Sequence, residues 1–541
     1  MMDRRRFVAR GSLAAAGLAL TDAGAFAAKA AGAWAGAGPG FTSDDAELMR
    51  VYSAALSTLQ GNVTQFPAFP GPVLIEGSVY GGVWMECAPQ EGQVYRAVGP
   101  EGAGDISPNN HMIFFALQKD DGQLPYSVKK NGPGFGQIQM VVPIAATAWE
   151  LAHATGDEEL LETAYAACGR WDAWLRRYRN TRGTGLCEGF CCWDTGQDNS
   201  PRWKGIPNTC PDHDARKCPQ AEGLPRLCPD LSATVYGGRV ALAAMAKALG
   251  KTSEADRWSE DAEAIRKLIV EKLYDPQDAA FYDLDAQNRF VKIRSSTILN
   301  VLGEHVVDAE LFETIWGKQV HDPKAFWAPY PFPSVALDDL QFVRPIPRNS
   351  WGGAAQALTA LRAPRWMEHY GKSAELAWMM QRWVEALVRA SSQSRQQGAL
   401  SEVFRQQLDP LTGEFTQDDP GGYSPAALVM LDFLWRLSGV REQGEQLEWN
   451  VHPLEKPARF SRRVGTAMLE LDYDGARAEL RIGGRRSARV SSVVRLLTTK
   501  TGELNAAIGI ADSEQQVTVD VTGRLKRAFR IAPNQRVELG A

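Results

Sequence analysis

A helical hairpin phrase that returns along the chain restricts its fold more than any other feature. Two amphipathic stretches are joined by a short turn with glycine followed by Asp or Lys, at His153–Asp157, Ala248–Lys251 and His369–Lys372. Glycine readily adopts the left-handed conformation that ends a helix, so each phrase separates two helices. Repeated αα-hairpins indicate a closed ring of helices rather than a four-helix bundle.

Apolar residues recur at helical spacing from about residue 42 to residue 440. The predicted helices are 141–155, 158–179, 231–249, 253–273, 354–370, 373–390 and 425–437. Four Pro- and Gly-rich stretches between them are interpreted as loops: 61–108, 181–228, 323–350 and 395–422. Long loops in a compact domain commonly carry function, so we expect the functional site there.

The periodicity changes after residue 450. Ala467–Tyr473, Ala478–Ile482 and Gln516–Val521 alternate apolar and polar side chains, as strands with one buried face do. The predicted organisation is a leader over 1–40, a helical domain over 41–445 and a small antiparallel β domain over 451–541.

The N-terminus resembles an export signal. Arg4–Val8 contains a twin-arginine pattern, Ser12–Leu20 is a short apolar stretch, and Ala25–Ala27 is a small-x-small cleavage site. A membrane anchor and an amphipathic helix are the alternatives, but the apolar stretch is well below the ~20 residues of a spanning helix. We therefore expect a periplasmic or secreted protein without a membrane span.

Composition excludes some function classes. The net charge of -5 and the lack of a basic stripe argue against nucleic-acid binding. Seven histidines and no Gly-x-Ser-x-Gly sequence argue against a serine hydrolase.

The chain has eight cysteines, an even number that favours disulfides in an oxidising compartment. Six of them lie between residues 187 and 228 and are disulfide candidates: Cys187, Cys191, Cys192, Cys210, Cys218 and Cys228. The pairing stays open, as do free thiols. A zinc site is less favoured, because no Cys-x-x-Cys pair occurs and His213 is the only nearby histidine.

The segment Trp193–Trp203 concentrates chemistry in a predicted loop. It holds two aspartates, two tryptophans, one arginine and one asparagine, and Gly196 and Pro201 oppose a regular helix. Glycoside hydrolysis needs two carboxyl groups, and indole faces stack on sugar rings. A polar surface loop with a stacked Arg–Trp pair is the alternative.

This segment resembles the Glu-Ser-Gly-x-Asp-Asn-Ser-Pro-Arg-Trp signature of glycoside hydrolase family 63, and it is similar to that of the family 37 trehalases. The chain departs from the signature with Asp194 for Glu and Thr195 for Ser. The resemblance implies a six-hairpin glycosidase of the mannosylglycerate-hydrolase type, whose fold is mainly α, an (α/α)6 toroid with a small C-terminal antiparallel β domain. It also implies that Asp198 is the general acid, protonated at rest.

Further stretches match in chain order over about residues 65–440. They are Gln118–Pro125, Gly136-Gln137 with Pro143, Asp230, Phe332–Asp339, Ser350–Gly353 and Tyr423-Ser424. The family's second catalytic acid, a Glu ahead of an Asp-Pro-x-Thr-Gly turn, corresponds to Glu402. Asp409 and Glu414 are alternatives for this role, although Asp409 directly before proline suits a turn.

By this resemblance, the expected function is an exported, inverting exo-hydrolase of an α-glucoside or α-mannoside, with Asp198 as acid and Glu402 as base. The substrate would be a glycoside or oligosaccharide. The expected substrate-binding residues are Trp84, Gln137, Trp193, Asp194, Asn199, Arg202, Trp203, Asp230, Trp351 and Tyr423. We expect no cofactor and no catalytic metal, while a structural calcium ion and the oligomeric state stay open. An α-L-rhamnosidase-like toroid glycosidase and a non-catalytic glycan-binding envelope protein are the alternatives.

Overall fold

The computed structural model of the protein describes residues 39–99, 105–397, 404–416, 420–475, 477–523 and 526–540, and side chains 391–397 lie outside this description. The predicted leader therefore lies outside the described residues except for its last two positions. Glu402 also lies outside them. No helix in the described ranges combines the length and the hydrophobicity needed to cross a membrane.

Twelve α-helices lie in the described residues. They are α1 Ala46–Gly61, α2 Ala88–Val98, α3 Ile106–Ala116, α4 Ile144–Thr155, α5 Glu158–Tyr178, α6 Pro229–Ala248, α7 Thr252–Leu273, α8 Thr297–Gly303, α9 Ala309–Ile315, α10 Ala357–His369, α11 Ser373–Gln397 and α12 Ser424–Ser438. All seven predicted helices are confirmed. The interpretation of 61–108 as a loop is wrong at α2, because Pro89 occupies the first turn of this helix, where proline is tolerated.

The even-numbered helices contact each other in cyclic order. Helix α2 contacts α4, and the contacts continue through α6, α8 and α10 to α12, which contacts α2 again. The odd-numbered helices pack against them, as α5 does against α4 and α7 against α6. The contacts of the even-numbered helices therefore close on themselves.

Short strands and turns occupy the connections of the helical part. The strands are β2 Val63–Phe66, β3 Phe69–Leu74, β4 Gly82–Trp84, β5 Ser127–Lys129, β6 Gly132–Gly134, β7 Glu188–Gly189, β8 Arg226–Leu227, β9 Tyr274–Asp275, β10 Ala280–Phe281, β11 Asp283–Leu284, β12 Phe290–Val291, β13 Ala355–Gln356 and β14 Gln407–Leu408. Short 3-10 helices cover Cys192–Thr195, Pro201–Trp203 and Pro211–His213, and a π-helix covers Trp316–Val320.

The C-terminal part forms two antiparallel sheets. Its strands are β15 Val440–Gln443, β16 Gln446–Val451, β17 Ala458–Val464, β18 Ala467–Asp474, β19 Arg477–Ile482, β20 Arg485–Ser491, β21 Val494–Thr499, β22 Leu504–Ile508, β23 Gln515–Val521, β24 Arg527–Ile531 and β25 Arg536–Glu538. One sheet has the order β15-β16-β21-β22-β25. The other has the order β1-β17-β18-β19-β20-β23-β24, where β1 is Gly40–Ser43.

Two details of this part differ from the sequence interpretation. Strand pairing begins at Val440, before the predicted start at residue 451, and Gly40–Ser43 from the other end of the chain joins the larger sheet. Trp435 of α12 packs edge-on against Phe460 of β17, with ring centroids 5.1 Å apart. The helices and the sheets therefore share one hydrophobic core.

Candidate active site

A cavity of about 930 Å³ opens at the end of the helical part where the even-numbered helices begin. Its lining comes from the stretches that precede α2, α4, α6, α10 and α12. The lining residues used below are Glu76, Tyr80, Trp84, Glu86, Lys129, Gln137, Gln139, Trp193, Gly196, Asp198, Arg348, Asn349, Trp351 and Gln406. The volume, the aromatic side chains and the converging polar groups are typical of a small-molecule site.

Asp198 lies in this cavity between two short 3-10 helices. Gly196 ends the first of them in the left-handed conformation, with φ of 65°. A Cβ atom on Gly196 would lie 1.7 Å from Oε2 of Glu86, so a larger residue here would displace the Glu86 carboxyl group. The glycine thus brings the backbone of the Asp198 loop directly against a second carboxyl group.

Two hydrogen bonds hold Asp198 from the loop that precedes α10. Nδ2 of Asn349 donates to Oδ2 of Asp198 over 2.7 Å. The backbone N–H of Trp351 donates to the backbone carbonyl of Asp198 over 3.0 Å. The side chain of Asp198 is half-buried, so it is fixed in place and still accessible from the cavity.

Glu76 and Glu86 are carboxyl groups of the cavity that sequence reasoning missed. Burial raises the pKa of Glu76 well above its ordinary value, and the nearby Glu91 adds to the shift. Burial also raises the pKa of Glu86, with Glu76 and Asp198 adding to that shift. Both stand close in sequence to Tyr80 and Trp84 in a predicted loop, and this pairing of acids with aromatic residues was the available signal, although residues 76–86 contain no Arg or Asn. Their carboxyl groups can form hydrogen bonds with sugar hydroxyls.

Aromatic and amide side chains complete the walls. Trp84, Trp193 and Trp351 line the cavity, and Tyr80 packs edge-on against Trp84 with centroids 5.6 Å apart. Gln137 is buried and donates to Oε1 of Gln139 over 3.1 Å. Its own Oε1 is buried without a hydrogen-bond partner among the described residues, as expected for an acceptor that a ligand hydroxyl satisfies.

Asp194 does not lie in the cavity, which corrects its predicted role in substrate binding. Its side chain is fully buried and forms an ion pair with the fully buried Arg179. It also accepts hydrogen bonds from the backbone N–H groups of Ile138, Phe190 and Cys191. A carboxylate with these partners anchors the loop and cannot reach a sugar.

Arg202, Trp203 and Asp230 are also buried beneath the cavity rather than exposed in it. The guanidinium of Arg202 pairs with Asp230 at 2.5 Å and with Asp283 at 2.6 Å. The indole N–H of Trp203 donates to the hydroxyl of Thr195 over 3.0 Å. These side chains join the loop to α6 and β11, so the prediction that they contact substrate is revised.

The last two predicted binding residues lie beside the cavity. Tyr423 is fully buried, and its hydroxyl donates to Oε1 of Glu76 over 2.7 Å. It therefore positions a cavity carboxyl group instead of lining the cavity. Asn199 is exposed, and its Nδ2 donates to the backbone carbonyl of Asn349 over 2.7 Å.

The cysteines are free thiols in this structure, so the predicted disulfides are absent from it. Sγ of Cys191 and Sγ of Cys210 are 3.8 Å apart, well beyond the ~2.05 Å of a disulfide bond. Both thiols are buried with Phe190, and Cys218 packs beside them. These cysteines fill a small apolar cluster behind the Asp198 loop.

The alternatives to Glu402 do not lie in the cavity. Asp409 pairs with Arg344 at 2.9 Å and accepts the backbone N–H of Leu411 over 2.8 Å, as expected for a turn. Glu414 is exposed. Gln406, four residues after Glu402, lines the cavity.

Three groups of described side chains have possible metal-ligand atoms within 4.8 Å of one another. In the group Cys191, Asp194 and Cys210, the guanidinium of Arg179 already neutralises the carboxylate. Arg202 does the same in the group Cys228, Asp230 and Asp283. The third group is Glu76, Glu86 and Cys87, of which the two glutamates line the cavity. Of the three groups, only this third one has carboxyl groups that form no ion pair with Arg179 or Arg202.

Comparison with solved structures shows the fold. The mannosylglycerate hydrolase of Thermus thermophilus from glycoside hydrolase family 63, solved with Tris and D-glycerate, superposes with a TM-score of 0.55 at 19% identity, over 71% of this chain and 99% of that chain. The neutral trehalase of Saccharomyces cerevisiae superposes with a TM-score of 0.50 at 13% identity, over 67% of this chain and 73% of that chain. A family 78 rhamnosidase of Bacillus sp. GL1 superposes with a TM-score of 0.55 at 14% identity, over 82% of this chain and 41% of that chain.

Comparison at the level of sequence identifies the family. No curated protein matches the chain. The profile of the mannosylglycerate hydrolase MGH1-like glycoside hydrolase domain matches residues 109–435, a range that includes Asp198 and most of the cavity wall. The protein therefore belongs to the family of MGH1-like glycoside hydrolases, which places it among the six-hairpin glycosidases.

Proposed function

We propose that this glycoside hydrolase is an inverting, exo-acting enzyme that cleaves an α-glucoside or α-mannoside within an (α/α)6 toroid. The observation that carries the proposal is the position of Asp198, half-buried in the wall of an aromatic, carboxyl-rich cavity and fixed by Asn349. The volume of about 930 Å³ accommodates one or two sugar rings. The cyclic contacts of the even-numbered helices support the toroid.

In the proposed mechanism, Asp198 donates its proton to the departing glycosidic oxygen. Glu402, in the stretch that leads to Gln406, removes a proton from a water molecule that attacks the opposite face of the sugar. Glu76 and Glu86 bind sugar hydroxyls at the cavity floor, and Oε1 of Gln137 accepts one further hydroxyl. Trp84, Trp193 and Trp351 supply the apolar surface against which the ring stacks.

The test is hydrolysis of a panel of aryl α-glucosides, α-mannosides and α-L-rhamnosides together with trehalose and mannosylglycerate, with the released anomer followed by NMR. Asp198→Asn and Glu402→Gln should each lose most of the activity and keep the wild-type circular dichroism spectrum. Glu414→Gln, an exposed acid of the same stretch, is the matched control and should keep its activity. Full activity of Asp198→Asn would contradict the proposal.

Inversion has a separate geometric test. A crystal structure with a bound sugar should place the carboxyl groups of Asp198 and Glu402 about 6.5–9.5 Å apart, with a water molecule between Glu402 and the anomeric carbon. A separation near 5 Å, or release of the retained anomer, would contradict inversion. Cleavage of the rhamnoside alone would favour the rhamnosidase alternative, and glycan binding without hydrolysis would favour the non-catalytic one.

We also propose export through the twin-arginine route, because Arg4-Arg5-Arg6 precedes a short apolar stretch and a small-x-small site. Expression of the full chain in a bacterium should place a shortened protein in the periplasm or the medium. Replacing Arg4 and Arg5 with lysine should leave the unprocessed protein in the cytoplasm. Export of that variant at the wild-type level would contradict this route.

A further inference from the structure

We infer that Asn349 is a positioning residue for the general acid, which holds Oδ2 of Asp198 as an acceptor so that Oδ1 carries the catalytic proton. The inference rests on the proposed role of Asp198 as the acid. Nδ2 of Asn349 lies 2.7 Å from Oδ2 of Asp198. A hydrogen bond donated to one carboxyl oxygen stabilises that oxygen in its unprotonated form. Proton transfer to the glycosidic oxygen then takes place from Oδ1, which becomes part of the carboxylate.

The backbone aims the amide of Asn349 at the acid. Asn349 has φ of 49°, in the left-handed region that asparagine tolerates better than most residues. Its carbonyl accepts the side-chain N–H of Asn199 over 2.7 Å. The N–H of Trp351 donates to the carbonyl of Asp198 over 3.0 Å. Three contacts thus connect the two loops within a few residues, and two of them fix the backbone that carries the amide.

A hydrogen-bond chain sets which end of the amide faces Asp198. Nε2 of Gln406 donates to Oδ1 of Asn349 over 3.1 Å. Oε1 of Gln406 accepts from the hydroxyl of Tyr80 over 3.0 Å. Rotating the Asn349 amide would bring its oxygen against the carboxyl oxygen and its N–H₂ against that of Gln406. In this series Tyr80 donates to Gln406, Gln406 donates to Asn349, and Asn349 donates to Asp198.

The same hydrogen bonds connect the Asp198 loop with the described segment that follows Glu402 in the sequence. Gln406 stands four residues after Glu402, the proposed base. The next residue, Gln407, accepts the backbone N–H of Ser350 over 2.9 Å and donates to the carbonyl of Pro347 over 2.7 Å. The stretch 347–351 is thereby fixed to the stretch that follows Glu402 and to Asp198. Asn349 thus contacts both Asp198 and Gln406, so a shift of either segment affects the position of its amide.

Other charged groups also face Asp198 and influence its titration. Glu76 and Glu86 lie in the same cavity and disfavour a negative charge on Asp198, whereas Lys129 and Arg348 on the cavity wall favour it. The hydrogen bond from the Asn349 amide favours the ionised form of Asp198 and so opposes the effect of the two glutamates. Without this donor, the ionised form of Asp198 loses a charge-assisted hydrogen bond, and its titration moves to higher pH.

The experiment compares Asn349→Ala with Asn534→Ala in the full chain. Asn534 is a matched control outside the cavity: it has φ of 61°, and its Nδ2 donates to Oε2 of Glu375 over 2.7 Å. In Asn349→Ala the basic limb of the pH–kcat profile should move up by about 1 pH unit. kcat should fall about tenfold for an alkyl glycoside, which needs acid assistance, and change little for a dinitrophenyl glycoside, which does not. Asn534→Ala should resemble the wild type in both respects.

A readout without turnover separates this inference from the proposed function. The carboxyl infrared band that Asp198→Asn removes is titrated in the wild type and in Asn349→Ala. An upward shift supports the role of Asn349 even if no glycoside is hydrolysed, an outcome that would reject the proposed function alone. If Asn349→Ala does not fold, Gln406→Leu, which releases the amide, should give a smaller shift in the same direction. An unchanged titration in a folded variant, or equal loss of kcat with both glycosides, would overturn the inference.

Discussion

Replacing Asp194 with asparagine should unfold the Asp198 loop before it affects substrate binding. Asp194 accepts five hydrogen bonds, two from Arg179 and three from backbone N–H groups, and both side chains of the ion pair are fully buried. Asparagine removes the charge that compensates Arg179 and turns an N–H₂ group toward other donors. Breaking a buried pair from one side costs about 3–5 kcal/mol.

The matched control is Asp214→Asn in the same loop. Asp214 also pairs with an arginine, Arg216, at 2.9 Å, but both side chains are solvent-accessible. Exposed pairs contribute about 0–1 kcal/mol, so the two variants should differ by about 2–5 kcal/mol in the free energy of unfolding. Urea unfolding followed by the fluorescence of the 16 tryptophans measures this difference.

KM for the best glycoside of the panel provides the second measurement. The Asp194→Asn protein that remains folded at low temperature should bind substrate with nearly the wild-type KM, because Asp194 does not line the cavity. Equal stability of the two variants, together with a large rise of KM in Asp194→Asn only, would refute the structural role and restore the predicted contact with sugar.

Three further predictions concern other parts of the chain. Burial raises the pKa of Glu91 from 4.5 to about 8, so the folded state binds the extra proton and stability falls as pH rises from about 4.5 to about 8. Glu91→Gln should reduce this slope in thermal unfolding between pH 5 and pH 9, and a slope equal to that of the wild type would contradict the assignment. Iodoacetamide should label all eight cysteines of the unfolded, unreduced protein, as measured by intact mass; two missing labels would show that a pair such as Cys191 and Cys210 has been oxidised. Arg202→Met should destabilise the protein by about 3–5 kcal/mol because it leaves Asp230 and Asp283 buried without a cation, and a change below 1 kcal/mol in urea unfolding would contradict this.

Local pattern was sufficient for the elements of the fold. Hydrophobic residues at helical spacing and Gly turns such as Gly156 predicted the hairpins, since a helix buries one face wherever it packs. Alternation predicted β18 and β19 for the same reason. Local pattern failed for α2, because Pro89 made the start of this helix resemble a loop. It also failed for β1, because the partner strand β17 lies at the other end of the chain.

The motif around Asp198 pointed to the candidate acid, but it did not distinguish residues that line the cavity from residues that hold the loop. Asp194 and Arg202 have the same chemistry as binding residues, and only their burial against Arg179 and Asp230 shows that they are structural. The spacing of cysteines likewise says nothing about the 3.8 Å between Cys191 and Cys210.

The sequence by itself therefore determined the helical hairpins, the change to strands and the identity of the candidate acid, because each depends on neighbours within a few residues. Tertiary structure alone decided which polar groups surround that acid. Glu76 and Glu86, Asn349 and Gln406 come from distant segments that meet only because the even-numbered helices begin at the same end of the helical part. Burial and hydrogen bonding there depend on these long-range contacts, and they set the chemistry that Asp198 can perform.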